Sequence, residues 1–211
     1  MLEFLRVGLI ALLAVACGDD GTGGAPSDGA HSNVDALVQP LGGDVLGMWR
    51  ELPSATDDAP SPIADRVTLT FDSNGGLVHK TGTLTRNYTY SIANGTLTID
   101  MGASTVARPY VATTDRLLMS VLSSAGVVDG PIGTWQEDAL YDGEQVQNTL
   151  ELRADMTMSL LADYAAQADQ VATGTWRQVG ADLDVIAKPS NDHIYRTLYG
   201  GRLGEPYEKL P

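Results

Sequence analysis

Cysteine is almost missing from this chain: its 211 residues include one, Cys17. No intrachain disulfide can form, so stability must come from packing. Basic residues are scarce as well, 13 Lys and Arg against 27 Asp and Glu, for a net charge of −14. That charge repels nucleic acid and anionic bilayers and excludes both as main binding partners. Long apolar runs are missing too. The longest, Val7–Ala16, has ten residues, whereas a membrane-spanning helix needs about 20. The three histidines, His31, His79 and His193, lie far apart and show no metal-ligand spacing. There is no Gly-x-Ser-x-Gly elbow and no phosphate-binding loop. These absences lead to the expectation of a protein that is not an enzyme and that carries no cofactor and no metal.

What is present begins at the N-terminus. A short segment with Arg6, then the apolar run, then Ala14 and Ala16, has the layout of a secretory signal. Leu13-Ala14-Val15-Ala16-Cys17 resembles the lipobox of bacterial lipoproteins. The resemblance implies removal of residues 1–16, a diacylglyceryl group on the Cys17 thiol, and acylation of the new amino group. One acyl chain anchors marginally, whereas two or three hold a protein to a bilayer. Gly18 follows the cysteine, and by the enterobacterial sorting rule the lack of Asp there implies the outer membrane. The expected location is the cell envelope, facing the periplasm or the surface.

Residues 18–40 hold five Gly, four Asp and two Pro, with no apolar periodicity before Val34. With Cys17 they form a lipidated tether, residues 17–40, expected to be disordered. As a flexible coil it spans about 26 Å r.m.s.. Asp19, Asp20 and Asp28 sit in glycine-rich backbone that cannot preorganise metal ligands, so they are solvated.

From residue 41 to 211 the texture changes to short alternating strands. Leu69 and Phe71 alternate up to a turn at Asp72–Gly76. That turn slightly resembles a calcium loop, but it lacks the sixth-position glycine and the closing glutamate. Tyr88, Tyr90 and Ile92 lead to Asn94-Gly95, a hairpin signal, and Leu97 and Ile99 continue. Leu117–Leu122, Leu150–Leu152 and Met156–Leu160 follow the same logic. Trp176 leads to a Val179–Asp182 turn, Leu183 and Val185 come next, and Ile194–Tyr199 reads as the last strand. Met158–Ala172 has helix-like spacing, but a long hairpin fits its surroundings better.

The pattern also repeats. Leu46-Gly47-Met48-Trp49 returns as Ile132-Gly133-Thr134-Trp135, and Tyr90–Ile99 as Trp176–Val185, both 86 residues on. The halves run over about 44–125 and 130–200. The expected fold class is all-β: an antiparallel up-and-down meander barrel of about 8–10 strands. Closure removes the sheet edges that either half alone would expose. The Gly-x-Trp openings, followed by strands such as Leu69-Thr70-Phe71, resemble lipocalin-like domains. That resemblance gives Gly47, Trp49, Gly133 and Trp135 the role of closing a barrel end.

No constellation of residues meets the needs of catalysis. Trp49, Trp135, Trp176, Tyr88 and Tyr90 read as packing before they read as stacking platforms. Asp57 and Asp58 lie in a Pro/Ala/Ser-rich loop and read as solvated. The expectation is an envelope binding or interaction module, attached to the membrane through its lipid. Its partner would be a small apolar ligand or an envelope protein. The alternative is a periplasmic inhibitor of an envelope or secreted hydrolase, acting through the loop Pro53–Pro62.

Overall fold

The computed structural model describes residues 40–55, 62–126, 130–189 and 192–211. Cys17, the signal segment, the tether up to residue 39, His31, Asp57, Asp58 and most of the Pro53–Pro62 loop lie outside those residues.

The chain forms fourteen antiparallel strands in one meander. The first seven are β1 (Gly47–Glu51), β2 (Thr68–Phe71), β3 (Gly76–Thr81), β4 (Leu84–Ala93), β5 (Thr96–Asp100), β6 (Thr105–Ala112) and β7 (Arg116–Ser124). The others are β8 (Gly133–Tyr141), β9 (Glu144–Leu152), β10 (Thr157–Tyr164), β11 (Gln170–Val179), β12 (Asp182–Lys188), β13 (Asp192–Tyr199) and β14 (Arg202–Lys209). Each strand pairs with the next, and β14 returns to β1, so the sheet closes. β14 also pairs with β7 along most of its length. That pairing divides the ring into two circuits of eight strands: β1 to β7 with β14, and β7 to β14.

Local chemistry sets the hairpins. Asn94 and Gly95 both take positive φ, 50° and 75°, as a tight turn between β4 and β5 requires. The Asp72 carboxylate accepts the backbone N–H groups of Asn74 and Gly76 at 2.7 and 2.9 Å, closing the β2–β3 turn. Strand alternation then sorts the faces. On β9, Val146, Asn148, Leu150 and Leu152 point inward and Gln145 and Gln147 outward.

Each circuit has its own core. Trp49, Phe71, Leu77, Leu97 and Leu117 fill the first. Trp135, Leu152, Met158, Trp176, Leu183 and Leu203 fill the second. Trp49 donates its indole N–H to the Val45 carbonyl at 2.6 Å, and Trp135 donates to Pro131 at 2.7 Å. Both rings are fully buried. The glycines two residues earlier, Gly47 and Gly133, have φ of 111° and 140°, a region that side chains avoid.

The all-β meander barrel agrees with the expectation from the sequence, and Met158–Ala172 is spanned by the β10–β11 hairpin. The strand count, fourteen, exceeds the expected 8–10, and β6 and β14 are among the strands the pattern did not announce. Each has a proline inside it, Pro109 and Pro206, which ordinarily argues against a strand. Ile194–Tyr199 falls in β13, so it is not the last strand.

Candidate functional site

The two circuits meet where β7 changes partner. Tyr110–Ala112 of β6 pair with Leu117–Met119 of β7. Ser120 then takes φ 52°, a left-handed turn in the backbone of a non-glycine residue. Beyond it, Ser123 and Ser124 pair with Gln136 and Trp135 of β8. Further back on β6, Val106 and Ala107 pair directly with Tyr141 and Leu140 of β8. Arg108 and Pro109 therefore fall opposite the gap between these pairings. Pro109 has no N–H to leave unpaired there.

Arg108 supplies the charge at this gap. It is buried, and its guanidinium donates to the Ser120 hydroxyl. Its Nη2 lies 3.5 Å from Glu137 Oε1, and its Cζ lies 5.1 Å from the centre of the Tyr141 ring. Asn148, opposite Glu137 across the β8–β9 ladder, donates to the same Oε1 at 2.9 Å. Glu137 is 5% exposed, yet its Oε2 has no hydrogen-bond partner among the described residues. A buried carboxylate oxygen without a donor is costly, because its water is gone and nothing replaces it. Nearby, burial and then the Glu144 carboxylate raise the pKa of the Tyr164 hydroxyl, and Arg108 opposes them.

A cleft of about 350 Å³ opens at this junction. Gln136, Glu137, Asp138 and Gln147 form its polar wall. Gln147 holds Asp138 by a 3.1 Å amide-to-carboxylate bond. Ser123 and Ser124 contribute hydroxyls, and Arg202 donates to that of Ser123. Burial lowers the pKa of Arg202. Leu41, Pro109 and Val121 add apolar surface. Among the described residues, no lysine or arginine lines the cleft.

A second polar cluster lies on the outer face of the second circuit. Asp184 is fully buried beneath Arg177 and His193. Arg177 Nε lies 3.0 Å from Oδ2, and His193 Nδ1 lies 2.9 and 3.0 Å from the two oxygens. The Tyr195 ring lies 6.0 Å from the imidazole, tilted by 31°. An aspartate that orients a histidine is half of a hydrolytic constellation. Among the described residues, the polar contacts of His193 end at Asp184.

The residues singled out from the sequence are placed mostly in the cores. Trp176 is buried in the second core and donates to the Arg153 carbonyl at 3.0 Å. Tyr90 meets Phe71 edge-on at 5.0 Å and donates to the Asp72 carbonyl at 2.7 Å. Tyr88 lies 6.5 Å from His79, ring to ring. Burial, and then the Arg86 charge, lower the pKa of His79. Asp72–Gly76 is a hairpin turn. Sequence reasoning did not find Arg108, Ser120, Glu137 or Asn148. One signal was available: Asn148 interrupts the apolar alternation of Val146, Leu150 and Leu152 on β9. Comparison with family models, with curated proteins and with solved structures finds no match to this chain.

Proposed function

We propose that the protein is a lipid-anchored cell-envelope β-barrel that acts as a binding module, with the cleft at the β6–β7–β8 junction as its recognition face. The observation that carries this reading is the contrast between core and junction. The two cores are filled by their own tryptophans and leucines, whereas the junction opens a polar cleft of about 350 Å³ beside a buried carboxylate. That volume falls in the range of small-ligand sites. A ligand inside the barrel, as in lipocalin-like carriers, would have to displace Trp49 or Trp135.

The anchor reading rests on Cys17 directly after the apolar run. The outer face of β4 fits a barrel held at a membrane rather than one embedded in it. On β4, Thr85, Asn87, Thr89 and Ser91 face outward, where a membrane barrel carries an apolar belt. Leu41, next to the end of the tether, lines the cleft.

The barrel is read as a duplicated half. The two tryptophans, 86 residues apart, donate to the carbonyl four residues earlier, and the glycine two residues before each has positive φ. Each circuit would then be one lipocalin-like unit, with β7 and β14 as equivalent closing strands.

Two experiments test the reading. Cys17→Ala is expected to move the protein from the membrane to the soluble fraction; unchanged membrane association defeats the anchor. A screen of chemically diverse fragments, followed by NMR on the full chain, is expected to shift Gln136, Gln147 and Val121. Shifts confined to Trp49, Trp135 and their neighbours would place binding inside the barrel instead.

A further inference from the structure

Resting on the reading of the cleft as a binding face, we infer that in the free protein it is filled by the chain's own residues 34–39, which any other ligand must displace. The described residues begin at Pro40, and Leu41, the next one, lines the cleft. Leu41 is fixed there from two sides. Gly42 donates its N–H to the Tyr110 carbonyl at 2.8 Å and accepts the Ala112 N–H at 2.7 Å, bridging in parallel to Val111 of β6. A Cβ on Gly95 would stand 2.7 Å from that of Leu41, so the β4–β5 turn admits Leu41 because its second residue is glycine. The chain upstream is thereby delivered to the cleft. Six extended residues reach about 20 Å from that point. Attachment over so short a span gives an effective concentration on the order of millimolar, so even a weak contact is populated.

The cleft suits a polypeptide. It opens where the ladder is interrupted: β8 pairs with β7 up to Gln136 and with β6 from Leu140 on, so Glu137, Asp138 and Ala139 pair with β9 alone. Across the gap, Pro109 pairs with β5 alone, and Val121 falls outside the pairings of β7 with β6, β8 and β14. Backbone at such a gap can hydrogen-bond an added extended segment, as an open sheet edge does. Gln136 and Gln147 line the cleft, and each carries an acceptor and two donors, the complement of a peptide group. The segment supplies what the apolar wall lacks. No Val, Leu, Ile, Met, Phe, Tyr or Trp occurs between Cys17 and Val34, and then Val34, Leu37 and Val38 follow within five residues. Laid against Leu41, Pro109 and Val121, these side chains leave water.

The test uses the detergent-solubilised full chain with labelled Val and Leu methyls, beside a variant of the same length combining Val34→Ser, Leu37→Ser and Val38→Ser. NOEs are expected from the Val34, Leu37 and Val38 methyls to those of Val121. They are expected to be absent between labelled and unlabelled molecules in a mixed sample. In the variant, the amide hydrogens of Val121 and Asp138 are expected to exchange about tenfold faster, with the near-ultraviolet circular dichroism of the tryptophans unchanged. A peptide of residues 34–39, added to the variant at millimolar concentration, is expected to restore the shifts of Val121, Gln136 and Gln147, and a scrambled peptide is not. Segment NOEs to another part of the molecule overturn the inference, as do NOEs between molecules, which would mean that a second copy fills the cleft. Unchanged exchange and shifts at Val121 and Asp138 in the variant also overturn it. Fragments from the screen are expected to bind the variant more tightly than the parent. Equal binding to both overturns self-occupation while leaving the cleft as a binding face. A cleft that neither the segment nor any fragment perturbs defeats both readings.

Discussion

At Glu137 and Arg108 two opposite charges are buried side by side in a wall otherwise made of strands. Such a pair contributes little net stability, because desolvation offsets attraction. Breaking it is different, since one charge is then left alone. Arg108→Met is expected to destabilise the fold by about 3–5 kcal/mol, and Arg108→Met with Glu137→Leu to recover most of that loss. Urea midpoints read the effect directly. If the single and double variants are equally unstable, the pair is not the source. His79 gives a pH dependence. Burial and Arg86 hold its folded pKa below the ordinary value of 6.5. The unfolded chain therefore binds a proton before the folded one does. Stability is full above that ordinary value and declines as pH falls below it towards the lowered folded pKa. His79→Gln is expected to flatten this decline, measured as the urea midpoint at about pH 7.5 and about pH 5.5. An unchanged slope excludes His79 as its cause. Neither role was legible along the chain, because in a period-two pattern an inward glutamate is written like an outward one.

Among the elements, the strands differ in how plainly the sequence announced them. The β4–β5 hairpin was legible because Asn94-Gly95 specifies a positive-φ turn by itself. β1 and β8 were legible because Gly47-x-Trp49 and Gly133-x-Trp135 mark their openings. β6 and β14 were not, because Pro109 and Pro206 break the propensity signal. Pro109 is tolerated because it faces the gap where β7 leaves β6 for β8. The two tryptophan strands provide the test at this scale. Trp49→Ala and Trp135→Ala are each expected to cost about 3–5 kcal/mol. They belong to separate cores. Their effects are therefore expected to add to within about 0.5 kcal/mol in the double variant. Strong non-additivity by denaturant titration would show that the two cores are energetically one.

Over the whole molecule, β7 and β14 belong to both circuits, so neither circuit closes without them. Removing residues 202–211 is expected to abolish the near-ultraviolet circular dichroism of both cores and to produce dye-binding, partly collapsed chains. A truncated chain that keeps the first core folded would refute the mutual dependence. Without a disulfide, that dependence is what ties the two ends of the meander together. The sequence by itself determined the strand alternation, the tight turns and the paired tryptophan openings, because each depends on neighbours only a few residues apart. Tertiary structure alone decided that β14 returns to β7, that Ser120 bends the shared strand, and that Arg108, Glu137 and Asn148 meet beside a cleft. Those residues lie on different strands, and only closure of the ring sets the register that brings them together.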